Sequence, residues 1–494
     1  MTAPVNPAAL KPRLPRKGET VAVAEDELYA ARRAIYPQSV RGRLRNIKWV
    51  LLLVTLGIYY FLPFVRWDRG PDAPGQAVLI DFPARRFYFF FIEIWPQEFY
   101  YLAGLLILAS LVLFLMNAVA GRVWCGYLCP QTVWTDLFLK IERMVEGDRR
   151  EHMMSDAGPW TMEKVAKKTL KHAIWLLIAW WTGGAWVLYF ADAPTLVKEL
   201  ATFQGSTVAY GSIAVLTFTT YTLAGHMREQ VCTYMCPWPR IQAALTDEYA
   251  LNVTYLYDRG EPRGSVKKAA LARAAGQPAG DCIDCNLCVN TCPTGVDIRK
   301  GMQLDCIQCG LCIDACNNVM DKINRPRGLI TYESEANMEA RAAGKQPVRR
   351  IVRARTVLYT ALILLVGGIM IGTLAGRSTE GLSAIHDRNP VYVRLSDGTL
   401  RNAYTLRLIN KKLEPRRFVL TVDGLPNTRL SVVGTEPGPE GEVLAVGPDQ
   451  TLEARVFLTH AGKLPPGASV PVTFRIRDLA DGTTASVTDN FIGP

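Results

Sequence analysis

A chain of 494 residues has room for several domains. An apolar share of 49% with slightly positive mean hydropathy is high for a soluble protein and low for a fully embedded one, so membrane-embedded and water-facing parts are both expected. The net charge of +11 admits nucleic acid or a membrane surface, and the 12 cysteines fall in tight clusters that read as metal ligands rather than disulfides.

The first 48 residues are polar, Pro-rich and basic, without a signal-peptide pattern, and residues 1–30 or so are expected to be poorly ordered. Apolar runs follow at 49–64, 99–120, 173–190, 206–224 and 356–375. Each approaches the roughly 20 residues a helix needs to cross a bilayer. Lys and Arg set the orientation. Residues 1–48, 121–172 and 227–355 hold ten, nine and eighteen of them, against four in 65–98 and one in 191–205. Positive loops stay in the cytoplasm, which places the N-terminus inside and residues 377–494 in the periplasm, across a bacterial inner membrane. The basic excess therefore belongs to topology, with the lipid bilayer as partner and no nucleic acid.

Between the first two runs the stretch RRFYFFFIEIWPQEFYYL suits an outer membrane interface, where aromatic residues collect. Its Glu93 and Glu98 are candidates for a substrate or proton path.

After the second and fourth runs the same pattern, C-x-Y-x-C-P, appears twice. Cys125 and Cys129 flank Tyr127 before Pro130, and Cys232 and Cys236 flank Tyr234 before Pro237. This reads as a duplicated two-helix unit. On a helix, positions four apart share one face, so each pair is expected to present two sulfurs together. Four such thiols suit Cu(I), zinc or an iron–sulfur cluster. Met227 and Met235 nearby read as packing, and His226 and His172 as polar residues at a membrane boundary.

The strongest chemical signal is CIDCNLCVNTC at 282–292 and CIQCGLCIDAC at 306–316, both with bacterial ferredoxin spacing. Three thiolates on one tight turn reach three corners of a cubane, and the fourth cysteine points to the other cluster. Cys282, Cys285, Cys288 and Cys316 are therefore expected to hold one 4Fe–4S cluster, and Cys306, Cys309, Cys312 and Cys292 the other. Zinc prefers two separated pairs, which these runs are not.

From about 391 to 491 short alternating runs such as RRFVLTV and VPVTFRI are separated by turns such as Asp423-Gly424 and Asp481-Gly482. They predict an immunoglobulin-like sandwich without cysteine, serving as an interaction module. No dinucleotide fingerprint, P-loop or H-E-x-x-H occurs, so the electron donor is another protein or a membrane quinol.

GRVWCGYLCPQTVW, REQVCTYMCPWPRIQ, the paired ferredoxin runs and a terminal β domain together resemble the cytochrome c oxidase accessory protein family, of the FixG, RdxA and CcoG type, from about residue 40 to the end. The resemblance implies a membrane iron–sulfur protein that supports assembly of a cbb-type oxidase by reducing Cu(II) to Cu(I), an oxidoreductase activity. Oxidase subunits or copper-delivery proteins would be its partners, with Cys125, Cys129, Cys232 and Cys236 as the copper or redox site. The C-x3-C-P motif also occurs in quinol-linked polyferredoxins. A quinol-linked relay of a respiratory complex and a redox-sensing assembly scaffold are therefore the competing readings, and a homo-oligomer stays open.

The expected plan is multi-domain. It comprises a basic cytoplasmic segment 1–45, a four-helix membrane domain 46–236, a cytoplasmic two-cluster ferredoxin domain 237–350 with its cysteines at 282–316, a fifth membrane helix 351–376, and an all-β immunoglobulin-like domain 377–494.

Overall fold

The computed structural model describes residues 34–70, 73–347, 350–435, 437–438, 441–462 and 464–494. The poor order expected over 1–30 lies outside the described residues, as does the basic N-terminal segment up to residue 33. The chain forms two compact units. One holds the apolar helices and the cysteine clusters, up to Gly368. The other is built mainly from Ile369–Pro494, with short pieces from Arg66–Ala77 and Phe90–Ile92.

The first unit opens with α1 (Arg43–Phe61), then β1 (Val78–Asp81), β2 (Arg86–Phe89) and β3 (Ile92–Ile94). Helices α2 (Tyr100–Ala120), α3 (Val123–Tyr127), α4 (Pro130–Glu146), α5 (Arg149–Ala157), α6 (Met162–Val187), α7 (Ala193–Ala201) and α8 (Thr207–Thr220) follow, and α8 runs on as a π turn over Tyr221–Met227. Among the described residues four segments are long and apolar enough to cross a membrane: Arg43–Phe64, Pro96–Ala120, Thr207–Met227 and Ala354–Ala375. No more than 22% of any of their apolar windows is buried, so side chains such as Leu53, Leu106, Val215 and Leu364 face outward. Outward apolar surface on this scale suits lipid. The run at 173–190 falls in α6, whose first three turns carry Glu163, Lys164, Lys167, Lys168 and Lys171. Its apolar part is short and rich in Trp and Gly, and it does not reach the apolarity of the other four. α6 nevertheless follows α8 in antiparallel sense, from His172 beside Tyr221 to Gly183 against the Ile213 backbone.

Next come α9 (Trp238–Leu245), β4 (Asn252–Tyr255), α10 (Tyr257–Gly260), α11 (Val266–Ala274), α12 (Leu287–Asn290), α13 (Leu311–Lys322), β5 (Ile330–Glu333), α14 (Glu335–Ala342) and α15 (Ala354–Ala375). β4 and β5 pair antiparallel, Val253 opposite Tyr332, and bracket the two cysteine loops around a core of Val253, Tyr255, Ile298, Met320 and Leu329. This module is tied to the first membrane helix. α1 begins after Gly42, which has no capping side chain, and the Asp314 carboxylate of α13 accepts the Leu44 and Arg45 N–H groups instead, at 3.4 and 2.8 Å.

The second unit is an immunoglobulin-like sandwich. Its strands are β6 (Glu380–His386), β7 (Val393–Arg394), β8 (Leu400–Asn410), β9 (Arg416–Asp423), β10 (Thr428–Val432), β11 (Pro437–Gly438), β12 (Gly441–Val446), β13 (Gln450–His460), β14 (Ser469–Asp478) and β15 (Thr484–Ile492). One sheet runs β10-β13-β8-β6 with β7 on β8, the other β11-β12-β9-β14-β15. Alternate residues meet between them, among them Leu406, Phe418, Val456 and Phe474, each fully buried. Strand β6 lies within the expected all-β domain but ahead of the first alternating run at 391. The 391–395 run yields only the two-residue β7, because the turn at Ser396–Gly398 cuts it short.

Phe474→Ala should cost about 3–5 kcal/mol from the lost side chain and the cavity it leaves. Scanning calorimetry should show the β-domain transition lowered or lost while the iron content of the protein stays at the parent value.

Candidate iron–sulfur and thiol centre

The two ferredoxin loops share one backbone design. In each, the third and fifth residues of the motif are left-handed: Asp284 and Asn286 in the first, Gln308 and Gly310 in the second, with φ of 55°, 58°, 54° and 71°. These conformations curl the chain so that N–H groups point inward at the sulfurs. Asn and Asp tolerate them and Gly adopts them freely. Gln308 is the strained member. Its side chain is held by the Arg122 N–H, which donates to Gln308 Oε1 at 2.8 Å, and by a short bond to Asn252. Its carbonyl accepts the Tyr332 hydroxyl at 2.8 Å.

The sulfurs fall into two neighbourhoods. Cys282, Cys285, Cys288 and Cys316 line one cavity with Tyr255, Arg299 and Ile330. Burial pushes the Cys316 thiol up to about 12, with Cys288, Cys282 and Cys285 adding to it. Burial likewise pushes Cys306 up to about 12, reinforced by Cys292 and Cys309 and opposed by the Gln308 N–H. Four thiolates crowded in a dry pocket need the positive charge of iron to be stable, so the residues fit a cubane. A tetrahedral zinc would draw its sulfurs to about 3.8 Å from one another. No three cysteine sulfurs among the described residues lie within 4.8 Å of each other, and the wider cage suits the larger cluster.

The duplicated C-x3-C-P pairs are not two sulfurs on one helical face. Cys125 sits in α3, but Cys129 lies outside it, extended at ψ 127° before Pro130 opens α4. Cys232 sits in a π turn, and Cys236 is extended at ψ 122° before Pro237. Proline disfavours helix in the residue before it, so each pair straddles a break. The four sulfurs still share one neighbourhood. Burial pushes Cys125 up to about 12, with Cys129, Cys232 and Cys236 reinforcing it and Arg122 opposing. Burial also pushes Cys232 up to about 12, with Cys129 and Cys236 reinforcing.

This neighbourhood abuts the second ferredoxin loop. Cys125 and Cys232 pack on Ile307, Cys309 and Leu311. Gly126 permits the approach, since a Cβ there would stand 2.8 Å from the Ile307 carbonyl and 2.9 Å from Cys309 Cα. The Tyr127 hydroxyl donates to the Cys309 carbonyl at 3.0 Å. The Arg122 guanidinium bonds to the carbonyls of Leu304, Cys306 and Pro239. Tyr234, the counterpart of Tyr127, is 72% exposed, so the two copies have diverged. Gly126, Tyr127 and Arg122 carry the contact, and only the repeated tyrosine hinted at it in the sequence. His226 and His172, two boundary residues by sequence, stack at 5.6 Å. Met235 is exposed. Glu93 pairs with Arg86 at 3.2 Å, and Glu98 accepts the Trp95 N–H at 3.2 Å, which gives both carboxylates structural partners.

Known proteins resemble this chain over most of its length. The chain is 50% identical over 475 residues to the nitrogen fixation protein FixG of Rhizobium meliloti, covering 90% of each chain. It is 51% identical over 457 residues to protein RdxA of Cereibacter sphaeroides, covering 92% of this chain and 94% of RdxA, and 50% identical to RdxB of the same organism. The chain belongs to the FixG family. Residues 227–335 match the 4Fe–4S dicluster domain family, 102–145 a 4Fe–4S binding domain family, and 370–494 the Ig-like fold at the C-terminus of FixG. A solved FixG-related protein from Vibrio parahaemolyticus is 25% identical over 23% of this chain and 96% of its own, at a TM-score of 0.20. This FixG-family chain is thus a membrane protein that carries 4Fe–4S electron-transfer centres.

The bonds of Arg122 end on neutral carbonyls, so its charge bears on the loop holding Cys306. A nearby cation favours the more negative, reduced cluster. Arg122→Gln should lower the midpoint potential of one cluster only, by tens of millivolts, in an EPR-monitored redox titration. A variant in which both potentials match the parent would refute the electrostatic role.

Proposed function

We propose that this FixG-family protein reduces Cu(II) to Cu(I) in the assembly of a cbb-type cytochrome c oxidase. One cluster is held by Cys282, Cys285, Cys288 and Cys316, the other by Cys306, Cys309, Cys312 and Cys292, and Cys125, Cys129, Cys232 and Cys236 form the copper-handling site. One observation carries the reading: Cys125 and Cys232 pack directly on Ile307, Cys309 and Leu311. An electron on the second cluster therefore has a short route to the thiols. The chemistry favours the same direction, because thiolate stabilises Cu(I) over Cu(II).

A second reading has its own observation. The match of 102–145 to a 4Fe–4S binding domain includes only Cys125 and Cys129, and the cysteines beside them are Cys232 and Cys236. On that reading the four hold a third cluster. Iron analysis separates the two. About eight irons per chain are expected on the copper reading and about twelve on the other. Cys232→Ser with Cys236→Ser should leave about eight irons while lowering copper binding and the reduction of Cu(II) by protein that has been reduced with dithionite and then freed of it, scored with a Cu(I) chelator under anaerobic conditions. A double variant that binds and reduces copper like the parent would make the membrane thiols structural.

The proposed topology has five crossings, with α6 as the additional one because it runs the length of α8. Residues 237–350 are then cytoplasmic and 377–494 periplasmic, in a bacterial inner membrane. Reporter fusions at about residues 270 and 480 should give opposite signals, and equal signals would sink the five-crossing plan.

A further inference from the structure

A cavity of about 230 Å³ lies at the His226 end of the Thr207–Met227 segment. The dicluster reading does not use it. His172 and His226 stack in its wall with ring centroids 5.6 Å apart and planes at 14°. Trp175 stands edge-on to both rings, at 5.3 and 6.2 Å. The Tyr221 hydroxyl lies 2.9 Å from His172 Nδ1, which fixes that ring and leaves Nε2 as its other polar atom.

Charge narrows the ligand class. Among the described residues three cations line the cavity, and carboxylates meet each of them. Lys168 pairs with Asp156 at 2.7 Å and Glu146 at 3.1 Å, Lys171 with Glu146 at 3.0 Å, and Arg228 with Glu142 at 2.6 Å. A phosphate would have to break these pairs. The same pairs already fill, with positive charge, the compact group of potential metal ligands found among the described residues, Glu142, Glu146 and His152. What remains is a wall of imidazole and indole, suited to a neutral aromatic headgroup that bears hydroxyls.

Position narrows it further. The cavity opens at the end of an apolar segment, where a lipid-soluble molecule would carry its headgroup. Arg228 and Glu229 line this cavity and also a second one, which Cys232, Thr294 and Ile307 share. Thr294 Oγ1 is 3.3 Å from Cys292 Sγ. A headgroup in the first cavity therefore stands one layer of side chains from the membrane thiols and the second ferredoxin loop.

We propose that this cavity binds the headgroup of a membrane quinol, the electron donor of the iron–sulfur relay on which this assignment rests. Both O–H bonds of the quinol break. The two protons pass to the imidazoles of His172 and His226. The two 4Fe–4S clusters, when bound, would supply the acceptors for the two electrons, one each, and the quinone leaves.

The full-length protein in detergent tests this. Decylubiquinone should bind saturably, read by tryptophan fluorescence, and decylubiquinol should bleach the cluster absorbance under anaerobic conditions. The double variant His172→Gln with His226→Gln should weaken binding about tenfold and slow quinol-driven bleaching at least as much, as expected for loss of two hydrogen-bond partners. Its iron content and its EPR signal after dithionite should match the parent. If the double variant loses iron, Tyr221→Phe carries the test with an expected loss of about threefold. Absence of saturable binding to the parent, unchanged binding in an intact variant, or displacement of the quinone by inorganic phosphate would overturn the assignment. Adding Cu(II) to dithionite-reduced parent separates the two proposals: failure there removes the copper reading and leaves the quinol site standing.

Discussion

The proposed electron path depends on the approach of the Val123–Tyr127 turn to the second cysteine loop. Two backbones can touch there because position 126 has no side chain, and Gly126 lies against the Ile307 carbonyl and Cys309. Once they touch, the contact has polar groups to satisfy. Tyr127 meets the Cys309 carbonyl, and buried Arg122 spreads its donors over three carbonyls. A guanidinium suits this place because its planar fork can serve several acceptors from one side chain. A larger residue at 126 would part the loops, and the thiols at 125 and 232 would lose their place on the cluster wall.

The prolines explain why the thiols form a neighbourhood rather than two ordered pairs. Each C-x3-C ends at a proline that breaks the helix, so Cys129 and Cys236 lie on extended backbone and Cys125 and Cys232 on short helical turns. The break removes the fixed one-turn spacing that a continuous helix would give the two sulfurs of each pair. Among the described residues no three of these sulfurs stand within mononuclear ligand distance.

The ferredoxin loops were legible in the sequence because their spacing is set by local chain geometry. The left-handed positions of both loops follow from the same spacing, although only Gly310 announces itself; Asp284, Asn286 and Gln308 do not look like turn glycines. Four of the five apolar runs became long apolar segments, and the sandwich followed from period-two alternation. Tertiary features were not legible. The Asp314 cap on α1 joins residues 270 positions apart. The stack of His172 on His226 arises only because α6 and α8 run antiparallel. Periodicity carries no signal for either. The paired tyrosines misled by symmetry, since Tyr127 is buried at a contact and Tyr234 faces outward.

The two cluster environments differ in a way that gives the relay a direction. Cys285 is exposed, whereas Cys309 is buried against the membrane thiols. Arg299 is the cation beside the first loop, and Asp284 and Asp297 pair with it, so its charge is largely cancelled. Arg122 beside the second loop bonds to carbonyls and has Asp305 as a carboxylate neighbour rather than as a bonded partner. A reduced cluster is one charge more negative than an oxidised one, so on the proposed relay the less compensated cation favours the electron at the second loop, beside the proposed copper site.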